Sequence, residues 1–148
     1  EDELPPIVEL DLKSQKPLIT QKGVDITIVA SGHASLLARG ASVKLRKKGV
    51  SAEVIDIRVL NPLNVDVIIE SVIKTKHLLV VDSGWISTGF SGEIVANVVE
   101  KLPVDCLNKP PVRIALPDAP APVSRVLEKA YYTSVDDVVN AAKNILNN

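Results

Sequence analysis

Four consecutive apolar residues, Leu78-Leu-Val-Val, lie between two segments whose apolar residues recur at helical spacing. A strand with no polar alternation is buried on both faces, the situation of an inner strand in a parallel sheet covered by helices. The helical pattern before it is Val65, Ile68, Ile69 and Val72, opened by Pro62 and Asn64. After it come Ile94, Val95, Val98 and Val99, with Ser91 placed to cap them.

The same alternation runs through the chain. Ile26-Thr-Ile-Val-Ala is a short β-branched strand ended by Gly32. Leu37, Ala41 and Leu45, with Leu36 and Ala38 beside them, mark a helix closed by Arg46, Lys47, Lys48 and Gly49. Cations suit the negative end of the helix dipole, and glycine accepts the left-handed cap. Ala52-Glu-Val-Ile-Asp-Ile and Val112-Arg-Ile-Ala are further strands, and Pro17-Leu-Ile-Thr is a candidate edge strand. A Pro-rich loop covers Pro117 to Pro122, and a short helix is expected within Val123 to Tyr131. Ser134 to Asp137 reads as a capping box with Asp in place of Glu. It starts a helix with Val135, Val138, Val139, Ala142 and Leu146 on one stripe. Strand–helix alternation of this kind gives a doubly wound α/β sheet with right-handed crossovers. Residues 1–16, polar with Pro5 and Pro6, read as a linker or arm ahead of a domain over residues 17–148.

The net charge of -1 argues against a nucleic-acid face. The sequence has neither a run long enough to span a membrane nor a signal-peptide pattern. One cysteine, Cys106, permits no internal disulfide and fits a reducing compartment. The chain begins at Glu1 and contains no Met, so it is expected to be a piece of a longer protein.

Ligands in open α/β sheets gather beyond the carboxyl ends of the strands. Here those ends are Ser31-Gly-His, Arg58 to Asn61, Asp82 to Phe90, and Leu116 to Asp118. The loop Ser83-Gly-Trp-Ile-Ser-Thr-Gly-Phe-Ser-Gly feeds a helix, and free amides there can hold an anion. It matches neither a P-loop nor a dinucleotide fingerprint, so its glycines are read as allowing tight turning and close packing. Asp82 is read as an acceptor for the amides of that loop. Trp85, the sole tryptophan, is either a local core plug or an interface anchor. His33 reads as a solvated loop residue and His77 as an edge residue. Asp105 beside Cys106 disfavours a thiolate there. Lys44-Leu-Arg-Lys-Lys reads as a solvated helix end. No nucleophile, base and orienting group come together in the sequence.

Several segments, in order, carry a family resemblance: Gly23-Val-Asp-Ile-Thr-Ile-Val, Ala52-Glu-Val-Ile-Asp-Ile-Arg-Val-Leu-Asn-Pro-Leu, Ile69-Glu-Ser-Val-Ile-Lys-Thr, Gly84-Trp, Gly92-Glu-Ile, Pro111-Val-Arg-Ile and Pro117-Asp-Ala-Pro-Ala-Pro. From about Gly23 to Ala142 the chain resembles the C-terminal domain of the transketolase-like thiamine diphosphate enzymes. Within them it is most similar to the beta subunit of the first component of 2-oxo acid (pyruvate-type) dehydrogenases. The resemblance implies a three-layer α/β/α domain on a five-stranded, mostly parallel sheet with one antiparallel edge strand near Leu18. It implies a part that serves dimerisation and complex assembly and is inactive alone. Thiamine diphosphate and Mg2+ would be bound elsewhere in the parent enzyme, whose Gly-Asp-Gly motif is absent here. The implied partners are an alpha subunit, a second beta subunit and the acyltransferase core, in the cytoplasm or, in a eukaryote, the mitochondrial matrix. Partner contacts are expected at Trp85, Phe90, Asn108, Lys109 and Asp118.

Where the family commonly reads Leu-Asp-Ala-Pro before its last strand, this chain reads Leu107-Asn-Lys-Pro. An acidic residue at that place would favour a basic acyltransferase segment. Asn108 removes that charge and Lys109 adds the opposite one, which weakens docking of that polarity. A deoxyxylulose phosphate synthase or transketolase C-terminal domain is the alternative within the family. A free-standing anion-binding α/β module is the alternative outside it. The subunit reading predicts an exposed apolar patch, and the free-standing module predicts a complete polar surface.

Overall fold

The structure is a computed structural model and describes residues 11–147. Most of the linker expected over residues 1–16 lies outside that range; Leu12–Ser14 form one 3-10 turn. The elements then follow as β1 Leu18–Gln21, β2 Ile26–Ala30, α1 His33–Arg46, β3 Ala52–Asp56, α2 Asp66–Thr75, β4 Leu78–Trp85, α3 Phe90–Lys101, β5 Val112–Leu116, α4 Arg125–Tyr131 and α5 Val135–Leu146.

The five strands form one sheet in the order β1-β3-β2-β4-β5. β1 runs antiparallel to β3, with Leu18 opposite Asp56, and every other pair is parallel. The expected antiparallel edge strand is therefore present. Side chains on alternate residues of each strand enter two separate cores. Ile28, Val54, Leu79 and Val81 face α1 and α5, packing on Ala38, Ala41, Leu45, Val138 and Ala142. Val29, Ile55, Leu78 and Val80 face α2 and α3, packing on Ile68, Val72, Ile94 and Val98. The unbroken apolar run of β4 thus supplies both cores, and the layers are helix, sheet, helix.

Local differences from the sequence reading have physical causes. The buried face of α1 is Ala34, Ala38, Ala41 and Leu45, while Leu36 is 61% exposed. Small residues let this helix lie close to the sheet, and Leu36 turns outward while Leu45 stays buried and Leu37 packs at the edge of the core. α2 starts at Asp66, whose N–H donates to Asn64 Oδ1 at 3.0 Å, leaving Pro62 in the preceding loop. The stripe of α5 ends on Ile145, buried, with Leu146 only partly covered. Its capping box forms as read: Ser134 N–H donates to Asp137 Oδ2 at 2.8 Å and Asp137 N–H donates to Ser134 Oγ at 3.3 Å.

One buried carboxylate sits under α2 at the amino-terminal end of the sheet. Glu53, 2% exposed, accepts from Lys74 Nζ at 2.7 Å and from Gly23 N–H at 3.2 Å. Next to it, Thr27 Oγ1 lies 2.7 Å from both Ser71 Oγ and Thr75 Oγ1. Burial pushes the Glu53 carboxyl up, but hydrogen bonds from Lys74, Ser71 and Gly23, together with the Lys74 charge, outweigh it and hold the group below its ordinary range.

Candidate functional site

Asp82 organises the carboxyl end of the sheet. β4 continues past its buried run as far as Trp85, and Asp82 is its first polar residue. One carboxylate oxygen accepts from Gly84 N–H at 2.9 Å and the other from Ser91 N–H at 2.7 Å. Ser91 was expected to cap α3 with its hydroxyl. Instead the helix begins at Phe90, its N-cap residue Gly89 has no side chain to offer, and the Ser91 hydroxyl is buried without a partner. The Asp82 carboxylate takes over the capping of its first turn from a different element, because a full negative charge satisfies helix N-terminal amides better than a hydroxyl. Gly89 is required by close approach: a Cβ there would collide with the Trp85 carbonyl and lie 3.1 Å from Asp82 Oδ2. The loop glycines thus serve tight packing, and two amides an anion would need are already taken.

Two further pairs join this loop to the segment after β5. The Trp85 indole N–H donates to Tyr131 Oη at 3.1 Å, and the Tyr131 hydroxyl donates to the Ala119 carbonyl at 2.7 Å. The Ser87 hydroxyl donates to Asp118 Oδ2 at 2.6 Å, and the Ser87 N–H donates to Asp118 Oδ1 at 3.2 Å. Trp85 is 54% exposed, which excludes the core-plug alternative. Phe90 differs: it is half-buried and packs against the core under α2 and α3.

The segment that these bonds hold is unusual. α4 has no buried residue, yet it presents Val126, 77% exposed, and Leu127, 58% exposed. Val123 and Tyr132, on either side of the helix, are also exposed. Trp85, bonded to Tyr131 of the same helix, is a fifth exposed apolar residue here. Sequence reading placed the helix and missed its surface. The available signal was Val123, Val126, Leu127 and Ala130 at helical spacing directly after a Pro-rich loop.

Asn108 and Lys109 lie at the opposite end. The Asn108 N–H donates to the Lys76 carbonyl at 3.0 Å, just ahead of β4, and Lys109 Nζ donates to the Asn147 carbonyl at 2.7 Å. The five expected contact residues therefore divide into Trp85, Phe90 and Asp118 at one end and Asn108 and Lys109 at the other.

Among the described residues, the two histidines and the cysteine lie apart from one another. His33 is exposed at the start of α1 and lines a cavity of about 180 Å³ with Leu37, Asp82, Ser83, Leu116 and Tyr132. His77 Nδ1 lies 3.0 Å from the carbonyls of Asp25 and Thr75. Cys106 is buried, with Lys76 Nζ 3.7 Å from its sulfur. Among the described residues no group of three His, Cys, Asp or Glu could hold a metal. The carboxylates nearest the loops, Asp82 and Asp118, already accept from protein donors. These residues do not fit a magnesium–diphosphate group. No helix among the described residues is long and apolar enough to cross a membrane.

Residues 15–138 match the sequence profile described as "Transketolase, C-terminal domain". The chain belongs to this family. This transketolase C-terminal domain is 36% identical over 132 residues to "Pyruvate dehydrogenase E1 component subunit beta, mitochondrial" of Mus musculus, covering 89% of this chain and 37% of that protein. The protein of the same name in Saccharomyces cerevisiae is 36% identical over 147 residues, covering 99% of this chain and 39% of that protein. The chain thus spans less than two fifths of the length of the curated relatives it matches. A solved structure described as "Split gene transketolase, inactive beta4 tetramer" superposes with a TM-score of 0.76 at 22% identity, over 99% of this chain and 45% of that one. That likeness confirms the fold of the transketolase C-terminal domain.

Proposed function

We propose that this domain is the C-terminal part of the beta subunit of a thiamine diphosphate-dependent 2-oxo acid dehydrogenase of the pyruvate type. Its work is subunit dimerisation and complex assembly in oxidative decarboxylation, and alone it is inactive. The observation that carries the reading is the apolar surface of Trp85, Val123, Val126, Leu127 and Tyr132, held by a helix with no buried residue. We read these exposed residues as one face covered by a partner, because exposed apolar patches mark protein contacts. Its aromatic members, Trp85 and Tyr132, are residue types enriched at interface hot spots. The 36% identity to pyruvate dehydrogenase beta subunits supports the choice of parent enzyme.

In this reading Trp85, Phe90 and Asp118 serve contacts with the alpha subunit and a second beta subunit, and Asn108 and Lys109 face the acyltransferase core. Thiamine diphosphate and Mg2+ belong to other domains of the parent enzyme. The compartment is the cytoplasm, or the mitochondrial matrix in a eukaryote.

The test is an immunoblot and immunoprecipitation from source extract. The expected band has at least about twice the mass of this chain, because a second domain must be attached. The precipitate should decarboxylate a 2-oxo acid when thiamine diphosphate and Mg2+ are supplied. A band at 15.9 kDa with no such activity would overturn the reading.

A further inference from the structure

A thiol and an amine meet where α2 ends. Lys76 closes that helix in the left-handed conformation, with φ 62°. Its N–H donates to the Val72 carbonyl at 2.8 Å, and its carbonyl accepts from the Asn108 N–H at 3.0 Å. Cys106, two residues before Asn108, donates its own N–H to the Pro103 carbonyl at 3.2 Å. With both backbones held, Lys76 Nζ donates to Cys106 Sγ at 3.7 Å. Asp105 adjoins the cysteine in sequence, but the group that the fold brings to the sulfur is an amine.

The sulfur is sheltered and still reachable. Cys106 is 7% exposed and lines a surface groove of about 380 Å³ with Val99, Leu102 and Val104. Hydrogen peroxide, little larger than water, fits a groove of that size. A sulfenic acid formed there condenses with a thiol or with a nitrogen nucleophile. This sequence holds no second cysteine, so the amine in contact with the sulfur is the group placed to resolve it.

We propose that Cys106 and Lys76 form a reversible sulfur–nitrogen cross-link driven by peroxide. Peroxide first oxidises the thiol to a sulfenic acid; its O–O bond breaks and one water leaves. The Lys76 ammonium gives one proton to solvent, and the neutral amine attacks the sulfur. The S–N bond forms as the S–O bond breaks, and the hydroxyl departs with an amine proton as a second water. In sum one peroxide is reduced to two waters, while thiol and amine lose two hydrogens. Two reducing thiols reverse the link, becoming a disulfide as thiol and amine are restored. The flexible stem of Lys76 closes the remaining distance without moving either backbone. The link fastens the end of α2 to the segment leading into β5.

The test treats the native protein carrying this sequence with hydrogen peroxide and reads its tryptic peptides by mass spectrometry. The peptides holding Lys76 and Cys106 should appear joined, about 2 Da lighter than their sum, and should separate on adding dithiothreitol. Dimedone, which traps sulfenic acids, should label Cys106 weakly. Lys76→Arg keeps the cation and removes the nucleophilic amine. It should abolish the joined peptide, raise dimedone labelling several-fold and let Cys106 proceed to the sulfinic acid. Circular dichroism melts before oxidation show whether this variant folds; the joined peptide of the unmodified protein decides the proposal without it. Absence of that peptide, or dimedone labelling equal with and without Lys76, would overturn the cross-link. A joined peptide carrying an extra oxygen would overturn the direct S–N bond.

Discussion

Trp85 and Tyr131 are joined by a hydrogen bond from the indole N–H to the phenolic oxygen at 3.1 Å, across an otherwise exposed surface. The Tyr131 hydroxyl in turn donates a hydrogen bond to the Ala119 carbonyl. The only tryptophan is thereby fixed relative to α4, a helix that contributes nothing to either core. Such an arrangement costs conformational entropy, which in the proposed assembly a covering partner would offset.

Tyr131→Phe should remove both bonds while keeping the ring. Because the pair is exposed, domain stability should fall by no more than about 1 kcal/mol. Emission from Trp85 should shift, and assembly with partner subunits should weaken. Urea titration followed by tryptophan fluorescence, with sedimentation of the co-expressed complex, measures all three.

Val126→Asp and Leu127→Asp should leave folding within about 0.5 kcal/mol, as surface changes do, and should abolish co-purification with partner subunits. Ile68→Ala, in the core under α2, should instead cost about 2–5 kcal/mol. Chemical denaturation separates the two classes. If the α4 variants unfold the isolated domain, the surface is structural.

Trp85→Ala and Phe90→Ala should part company. Trp85 is the exposed member, so its loss should impair assembly more than folding. Phe90 packs on the core from the start of α3, so its truncation should also lower the melting temperature. Equal loss of folding in both would remove Trp85 from the interface.

Acid should weaken the Glu53–Lys74 region. The folded carboxyl lies below its ordinary value of 4.5, so the unfolded chain binds more protons as pH falls. The contribution is fully present above that value and is lost as pH drops through the folded one. Melting temperatures from neutral pH to pH 3 should fall less steeply in Glu53→Gln, which should also be less stable at neutral pH by about 1–3 kcal/mol.

Ser134→Ala should cost about 1 kcal/mol by removing the cap of α5. Hydrogen bonds from the Ser134 hydroxyl and N–H hold the Asp137 carboxyl below its ordinary range, so the variant should raise it. Carbon-detected NMR titration of Asp137 reads that shift directly.

The alternation of strands and helices, and the burial of Leu78 to Val81 on both sides, followed from the sequence because hydrophobic period reports the number of buried faces. The capping box at Ser134 and Asp137 was equally legible, since its donors and acceptors lie three residues apart. Several features escaped that reading. Asp82 capping α3 in place of Ser91 depends on the loop after β4 folding back on that strand, and Ser87 meeting Asp118 depends on the pairing of β4 with β5. Which leucines of α1 face outward was set by how closely the helix approaches the sheet. Asn108 and Trp85 are both loop residues in sequence, and only the parallel pairing of β4 with β5 sends them to opposite ends. The sequence determined local periodicity and caps, which are short-range properties of the chain. Tertiary structure decided the exposure of Val126 and Leu127 on α4, because exposure exists only once every other element has packed.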